Sequence, residues 1–455
     1  MNAADSTLLS RYGGNLPRYT SYPTAAQFSD AVGPAESQQW LSALPASQPV
    51  SLYLHVPFCD ILCRFCGCNT AVLRDTDARA AYAALLHEEL RRVVALIGPG
   101  RRVTHLQWGG GTPTTLPASA MRRVMQAIRQ DFVIAPDAEI SIEVDPRHLP
   151  PEYPALLHEL GFNRASMGVQ DLDANVQKAC GRIQSWEQTR ACLDALRAAG
   201  VDSINIDLIY GLPRQDTDSV TRTARAVASL RPDRLAVFGY AHVPWKQKRQ
   251  NLMPVGELPG PQARIAQRAA IDTVLRDEGF LPVGLDHYVS PHDSMARAME
   301  SGTLHRNFQG YTTDSAPALI GIGASAISSL PDGMTQNATT SAAYARLMAE
   351  MTDRLPVMRG VPLLADDHVR AAIIKQLMCT MQVDVDQIIT EYHLPAGSFG
   401  PELSRLVPMV QDGLVDMTAR HVQVTEKGRA FVRHVASVFD RYLSPQSSTR
   451  HASAL

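Results

Sequence analysis

Between residues 50 and 240 the chain alternates short β-branched or apolar runs with longer amphipathic ones. Six runs read as strands: VSLYLHV from Val50, VTHLQW from Val103, EISIEV from Glu139, RASMGVQ from Arg164, SINIDLIY from Ser203 and RLAVFGY from Arg234. Between them, DARAAYAALLHEELRRVVALI and SWEQTRACLDALRAAG place apolar residues at helical spacing, and the second stops at Gly200. Repeated strand–helix units imply a parallel sheet with right-handed crossovers. An open doubly wound sheet and a full or partial (β/α) barrel both satisfy this alternation.

The unusual residues favour the barrel. A cysteine-rich loop follows the first strand, Gly109-Gly110-Gly111-Thr112 the second, and Glu143 and Asp145 end the third. Gln170 ends the fourth, Asp207 approaches the end of the fifth, and Tyr240-Ala241-His242 follows the sixth. Polar and glycine-rich features at the C-terminal end of every strand describe one composite mouth. The expected fold is therefore α/β, a partial (β/α) barrel. Past residue 243 the pattern loosens, although LHRNFQGYTT and GIGASAIS are placed to return to that mouth. Beyond about 360 a helix, hairpin, helix order resembles a winged helix. The expected division is a tail over 1–48 that contributes to the active site, a barrel and its extension over 49–355, and a C-terminal cap over 356–455.

Composition removes some function classes. The 455 residues carry a formal charge of −2, with 45% hydrophobic and 19% charged residues, so no basic excess points to nucleic acid. No run approaches a membrane span, and the N-terminal segment lacks a basic start followed by an apolar core, so a cytoplasmic protein is expected. In a reducing compartment, clustered cysteines serve as metal ligands or catalytic thiols rather than disulfides. Of seven cysteines, Cys192 and Cys379 read as small buried side chains.

The other chemistry sits in CDILCRFCGC, with thiols at 59, 63, 66 and 68. Structural zinc commonly takes two separated pairs, whereas one loop of thiolates suits a larger inorganic cluster. A [4Fe–4S] cube held by three sulfurs leaves one iron open. Cys59, Cys63 and Cys66 form Cys-x3-Cys-x2-Cys, which resembles the signature of the radical S-adenosylmethionine (SAM) enzymes. That resemblance implies a cluster on those three cysteines, with SAM bound at the open iron and cleaved to a 5′-deoxyadenosyl radical. Cys68 falls outside the three-ligand spacing, and Gly67 is expected to turn the chain away.

Further segments are more specific. PRYTSYPTA, YLHVPFC, CRFCGCN, QWGGGTPT, EISIEVDPR, NRASMGVQD, NIDLIYGLP, YAHVP and LHRNFQGYTT resemble the oxygen-independent coproporphyrinogen III oxidases over nearly the whole chain. The resemblance implies haem biosynthesis, with coproporphyrinogen III as substrate and two SAM molecules per chain. It also implies a reducing partner such as flavodoxin or ferredoxin, a monomer, and neither nucleic acid nor membrane as partner. By the same resemblance Tyr53, Gly110, Glu143 and Ile327 would hold the cluster-linked SAM. Phe65, Gly111, Thr112, Gln170, Arg182, Asp207 and Ala241 would hold the second. Arg18 and Arg306 are candidates for substrate carboxylates, and Cys68 and Arg18 are the catalytic candidates. One departure is Cys180-Gly181, where a bulkier apolar residue and Asn are expected, beside Arg182. The alternatives are a haem chaperone of the same superfamily, against which Cys68 and PRYTSYP argue, and a zinc-stabilised winged-helix protein that binds nucleic acid.

Overall fold

A computed structural model describes residues 3–443. The six runs form parallel strands: β1 (Val50–Val56), β2 (Arg101–Gly110), β3 (Phe132–Val144), β4 (Arg164–Gln170), β5 (Ser203–Tyr210) and β6 (Arg234–Gly239). They lie side by side in chain order, and Ala318–Ile322 adds a seventh parallel strand on the free side of β1. Antiparallel strands extend both flanks to twelve, ending at Val357–Pro362 and Leu281–Val283. The sheet therefore has two free edges and makes a partial barrel, not a closed one.

The crossover helices form where the apolar spacing places them. Thr76–Ile97 starts at Asp75, whose side chain accepts from Ala78 N, and Trp186–Ala198 starts at a Ser185–Gln188 capping box. They cover one phase of each strand. In β5, Ile204, Ile206 and Leu208 are buried against helices, whereas Asn205 and Asp207 alternate with them and stay partly accessible. A strand of period two thus gives the barrel an apolar outside and a polar inside. Among the described residues no helix is long and apolar enough to cross a membrane.

The barrel's far end, where the strands begin, is closed by charge. Arg234 Nε lies 2.9 Å from Asp293 and its Nη2 3.1 Å from Glu139, and Arg164 reaches the same two carboxylates at 3.3 and 3.2 Å. Burial disfavours the ionised Glu139, but the two guanidiniums outweigh it and hold its carboxyl down at about 2.

The C-terminal region pairs Gln382–Asp384 and Val415–Thr418 on either side of His421–Val424, with helices packed around this antiparallel sheet. Its apolar core includes Leu8, Tyr12, Tyr19 and Tyr22 from the tail. Tyr12 OH donates to Asp412 at 2.7 Å and Tyr19 OH to Asp440 at 3.0 Å. The start of the tail is thus part of the C-terminal core, whereas Trp40 and Leu41 in the helix Pro34–Ser42 join the barrel core.

Replacing Arg234 with Leu leaves Glu139 and Asp293 underpaired in a buried site and is expected to destabilise the protein by about 3 kcal/mol at pH 7. Because Glu139 is depressed from 4.5 to about 2, its contribution is complete above pH 4.5 and is lost as pH falls towards 2. Urea unfolding at pH 7 and at points between pH 4.5 and 2 should therefore show the gap between wild type and variant shrinking on acidification.

Candidate active site at the mouth of the barrel

The cysteine loop leaves β1 through a two-residue ladder, Phe58–Cys59 against Ala71–Val72. Each expected ligand sulfur receives a donor: Thr112 Oγ1 at 3.6 Å from Cys59 Sγ, Arg182 Nη1 and Arg147 Nη2 at 3.5 and 3.7 Å from Cys63 Sγ, and Cys68 N at 3.4 Å from Cys66 Sγ. A donor aimed at sulfur stabilises its thiolate, the form that binds metal, while burial opposes it. Burial pushes the Cys59 thiol up to about 11, whereas the Cys66 thiol is pulled down by the Cys68 side chain, with the Cys68 N–H and the Arg249 charge acting in the same direction. A [4Fe–4S] cube takes each thiolate at a separate iron, and three cysteines on one loop, each with a donor at its sulfur, fit that demand.

A second segment braces the loop from outside. Gln247 Nε2 donates to Gly67 O at 2.9 Å, Arg249 to Cys68 O and Thr70 O at 3.3 and 2.9 Å, and Gln250 Nε2 to Phe65 O at 2.8 Å. Gln250 also reaches Ala241 O at 3.1 Å, which ties together two of the expected SAM contacts.

Glycines 109–111 fit tightly, and against protein. A Cβ on Gly109 would sit 2.7 Å from the Glu143 carboxylate, one on Gly110 2.5 Å from the His55 ring, and one on Gly111 2.6 Å from Phe58 O. Gly110 also has φ +115°, a conformation L side chains avoid. The turn is stitched to the cysteine loop by Gly111 N to Val56 O at 2.8 Å and Thr112 N to Phe58 O at 2.7 Å.

Inside the mouth, Gly110 N donates to Glu143 Oε2 at 2.9 Å. Burial nonetheless pushes the Glu143 carboxyl up to about 7, with Asp207 and Cys66 adding to the rise. His55 Nε2 faces Asn69 O at 3.1 Å and so carries the proton, which makes Nδ1 the acceptor for Tyr53 OH at 3.0 Å. The Tyr53 oxygen keeps its lone pairs for a ligand. Asn205 Nδ2 holds Asp207 at 2.8 Å. Gln170, at φ +73°, and Asn205 present Oε1 and Oδ1 buried without a hydrogen-bond donor among the described residues. A ligand bearing amino and hydroxyl groups satisfies that set, so the mouth fits SAM. Tyr53, Glu143 and Asp207 are half-buried and Cys68 is exposed.

Other expected residues fall differently. Arg182 meets a carboxylate, but it belongs to Asp145, at 3.3 Å, and the guanidinium also contacts Gly168 O, Gln184 and Cys63. Phe65 packs against an apolar cluster that contains Cys180 and Tyr240. Ile327 backs the strand next to β1, its carbonyl 2.5 Å from where a Gly321 Cβ would be. Gly181 is left-handed at φ +65°, a position open to Gly and Asn, so glycine there keeps the turn before Arg182. Gly67 has no left-handed φ and open space around it; the turn of the loop does not depend on it. The sequence reading passed over Arg147, which grips Asp145 at 2.6 Å, and over Gln247, Arg249 and Gln250. The one signal for Gln247, Arg249 and Gln250 was the polar run KQKRQ, which follows YAHVP after Trp245.

Residues 53–227 match the Radical SAM superfamily, and a cysteine loop over the C-terminal mouth of a partial barrel defines that class of enzyme. The full-length comparisons are narrower. The chain is 45% identical over 430 residues to the oxygen-independent coproporphyrinogen III oxidase of Bradyrhizobium diazoefficiens, covering 94% of this chain and 95% of that one. It is 40% identical to the Paracoccus denitrificans enzyme of the same name, covering 98% of each. The solved coproporphyrinogen III oxidase of Escherichia coli, described as a radical SAM enzyme, superposes with a TM-score of 0.89 at 41% identity over 94% of this chain and 98% of that chain. The chain belongs to the oxygen-independent coproporphyrinogen III oxidase family.

Gly111→Ala forces the Phe58 backbone away and breaks the stitch between turn and loop. It is expected to cost about 3 kcal/mol or more of stability, while Gly67→Ala stays within about 0.5 kcal/mol of wild type. Thermal melts of the two variants side by side check this.

Proposed function

We propose that the chain catalyses oxygen-independent oxidative decarboxylation of coproporphyrinogen III to protoporphyrinogen IX in haem biosynthesis. The observation that carries the reading is a three-cysteine loop over a polar barrel mouth, in a chain 40 to 45% identical along nearly its whole length to enzymes of that name. In this reading Cys59, Cys63 and Cys66 hold a [4Fe–4S] cluster and Cys68 does not. When bound, the cluster and SAM would supply 5′-deoxyadenosyl radical chemistry for hydrogen abstraction from substrate.

The protein's own groups bind and orient. Tyr53, Gly110, Glu143 and Ile327 surround the cluster-linked SAM, whose positive charge draws Glu143 back into its ionised form. A second SAM lies against Phe65, Gly111, Thr112, Gln170, Asp207 and Ala241, with Gln170 Oε1 accepting from it. Arg182 bridges the two sites through Asp145 and Cys63. The tail, with Arg18 Nη2 3.1 Å from Gly239 O, and the cap over 356–455 close the mouth against water. The enzyme works as a cytoplasmic monomer and takes its electron from a reduced flavodoxin or ferredoxin.

With reductant and SAM supplied under anaerobic conditions, coproporphyrinogen III should yield protoporphyrinogen IX together with 5′-deoxyadenosine. Cleavage of SAM without decarboxylated product, on a protein with full iron content, would overturn the assignment. Cys66→Ser is expected to lose most of its iron and sulfide, whereas Cys68→Ser keeps both near wild type. Equal loss in the two variants would make Cys68 a ligand.

A further inference from the structure

Beside the mouth lies a second cavity, of ≈ 180 Å³, walled by Arg18, Arg264, Arg268, Arg306, Arg429 and Arg433. It forms where the end of β6, the helix Pro261–Asp277, the tail and the C-terminal region meet. Three carboxylates also line it, but Asp272 and Glu426 are both bound to Arg276, at 2.8 and 3.0 Å, outside this wall. Asp286 is left to face the arginines, 3.7 Å from Arg306.

The guanidiniums are held so that donors remain. Arg18, Arg264, Arg268 and Arg429 each give an N–H to a backbone carbonyl, of Gly239, Tyr240, Leu285 and Gly284 respectively. A guanidinium has five such donors in a rigid fork, so several of each stay uncommitted. Arg306 is the extreme case. Its side chain is 5% exposed and lies 4.4 Å over the Tyr311 ring, and its Nε and Nη1 have no acceptor among the described residues. Arg18, Arg264, Arg268, Arg306 and Arg429 thus outnumber Asp286, and buried positive charge is costly unless an anion joins it. Burial accordingly depresses Arg18, Arg264 and Arg429, whereas at Arg306 Tyr311 and Asp286 outweigh it.

The cavity adjoins the reaction site along β6. Gly239 and Tyr240, whose carbonyls hold Arg18 and Arg264, stand directly before Ala241, and His287 packs edge-on against Phe238 with its Nδ1 2.8 Å from Asp286.

Resting on the porphyrinogen reading, we infer that this arginine cavity anchors the two substrate carboxylates that survive the reaction, displacing Asp286 from Arg306 as they enter. Four carboxylate arms leave the macrocycle and two are consumed. The consumed arms must lie in the mouth. The surviving arms carry the same charge in substrate, half-reacted intermediate and product, so a cationic site beside the mouth can hold one ring through both decarboxylations. Paired N–H donors of a guanidinium match a carboxylate in geometry and charge. The anchor also selects, because an ester or a vinyl group leaves these arginines unpaired.

The test uses the oxidised, unreactive porphyrins and fluorescence titration of the anaerobic holoenzyme. Wild type should bind coproporphyrin III, and also protoporphyrin IX, which carries only the surviving carboxylates, while the tetramethyl ester of coproporphyrin III binds far more weakly. Arg306→Gln, and separately the less buried Arg268→Gln, should weaken both acids by about tenfold or more, the size of a lost charged hydrogen bond. Iron content and 5′-deoxyadenosine formation without substrate should remain at the wild-type level. Unchanged affinity for protoporphyrin IX in both variants overturns the inference while leaving the function standing. Wild-type protein that neither binds coproporphyrin III nor forms protoporphyrinogen overturns the function, and this inference with it.

Discussion

Backbone meets backbone between Gly111 and Phe58 at a distance no side chain tolerates, and the site depends on that contact. Two hydrogen bonds, from Gly111 N and Thr112 N, pin the end of β2 against the start of the cysteine loop. The same turn presents Gly110 N to Glu143 and brings Thr112 Oγ1 to Cys59. Three strands and the cysteine loop are thus registered by one short glycine run. The glycines are spent on packing protein against protein, and any approach of a ligand uses what that packing leaves open.

Charge is distributed to match a negative loop beside anionic substrates. Arg147 and Arg182 share Asp145 and both reach Cys63, and Arg249 braces the carbonyls beyond Cys66. Such cations would offset the charge that a thiolate-bound cluster carries. Elsewhere arginine is paired to close the structure, as at Arg164 and Arg234 under the barrel. In the cavity walled by Arg306 it is left in excess, and that contrast separates a structural use of the residue from a binding one.

Much of the framework was legible because strand and helix periods are local properties. β1, β4 and β5 coincide with the runs read from the sequence, and both helices anticipated from apolar spacing begin within a residue of the expected position. β2 and β3 run further toward their N-termini than the apolar pattern alone marks, since Arg101 and Arg102 pair with Phe132 and Val133 and so extend both strands. The tail was read as one piece, yet its tyrosines complete the C-terminal core and its later helix packs on the barrel. No periodicity in fewer than fifty residues could have told those two fates apart.

The alternation that makes a parallel barrel, the thiol spacing that calls for a cluster, and the family are all readable from the chain, because each is written in residue types at short separation. What the unmarked polar residues do follows from folding alone. Arg147, Gln247, Arg249 and Gln250 reach the cysteine loop, and the six arginines of the second cavity are drawn from the tail, the barrel and the C-terminal region. These contacts span most of the chain's length, and a charge takes its meaning from the neighbours and the burial that folding supplies.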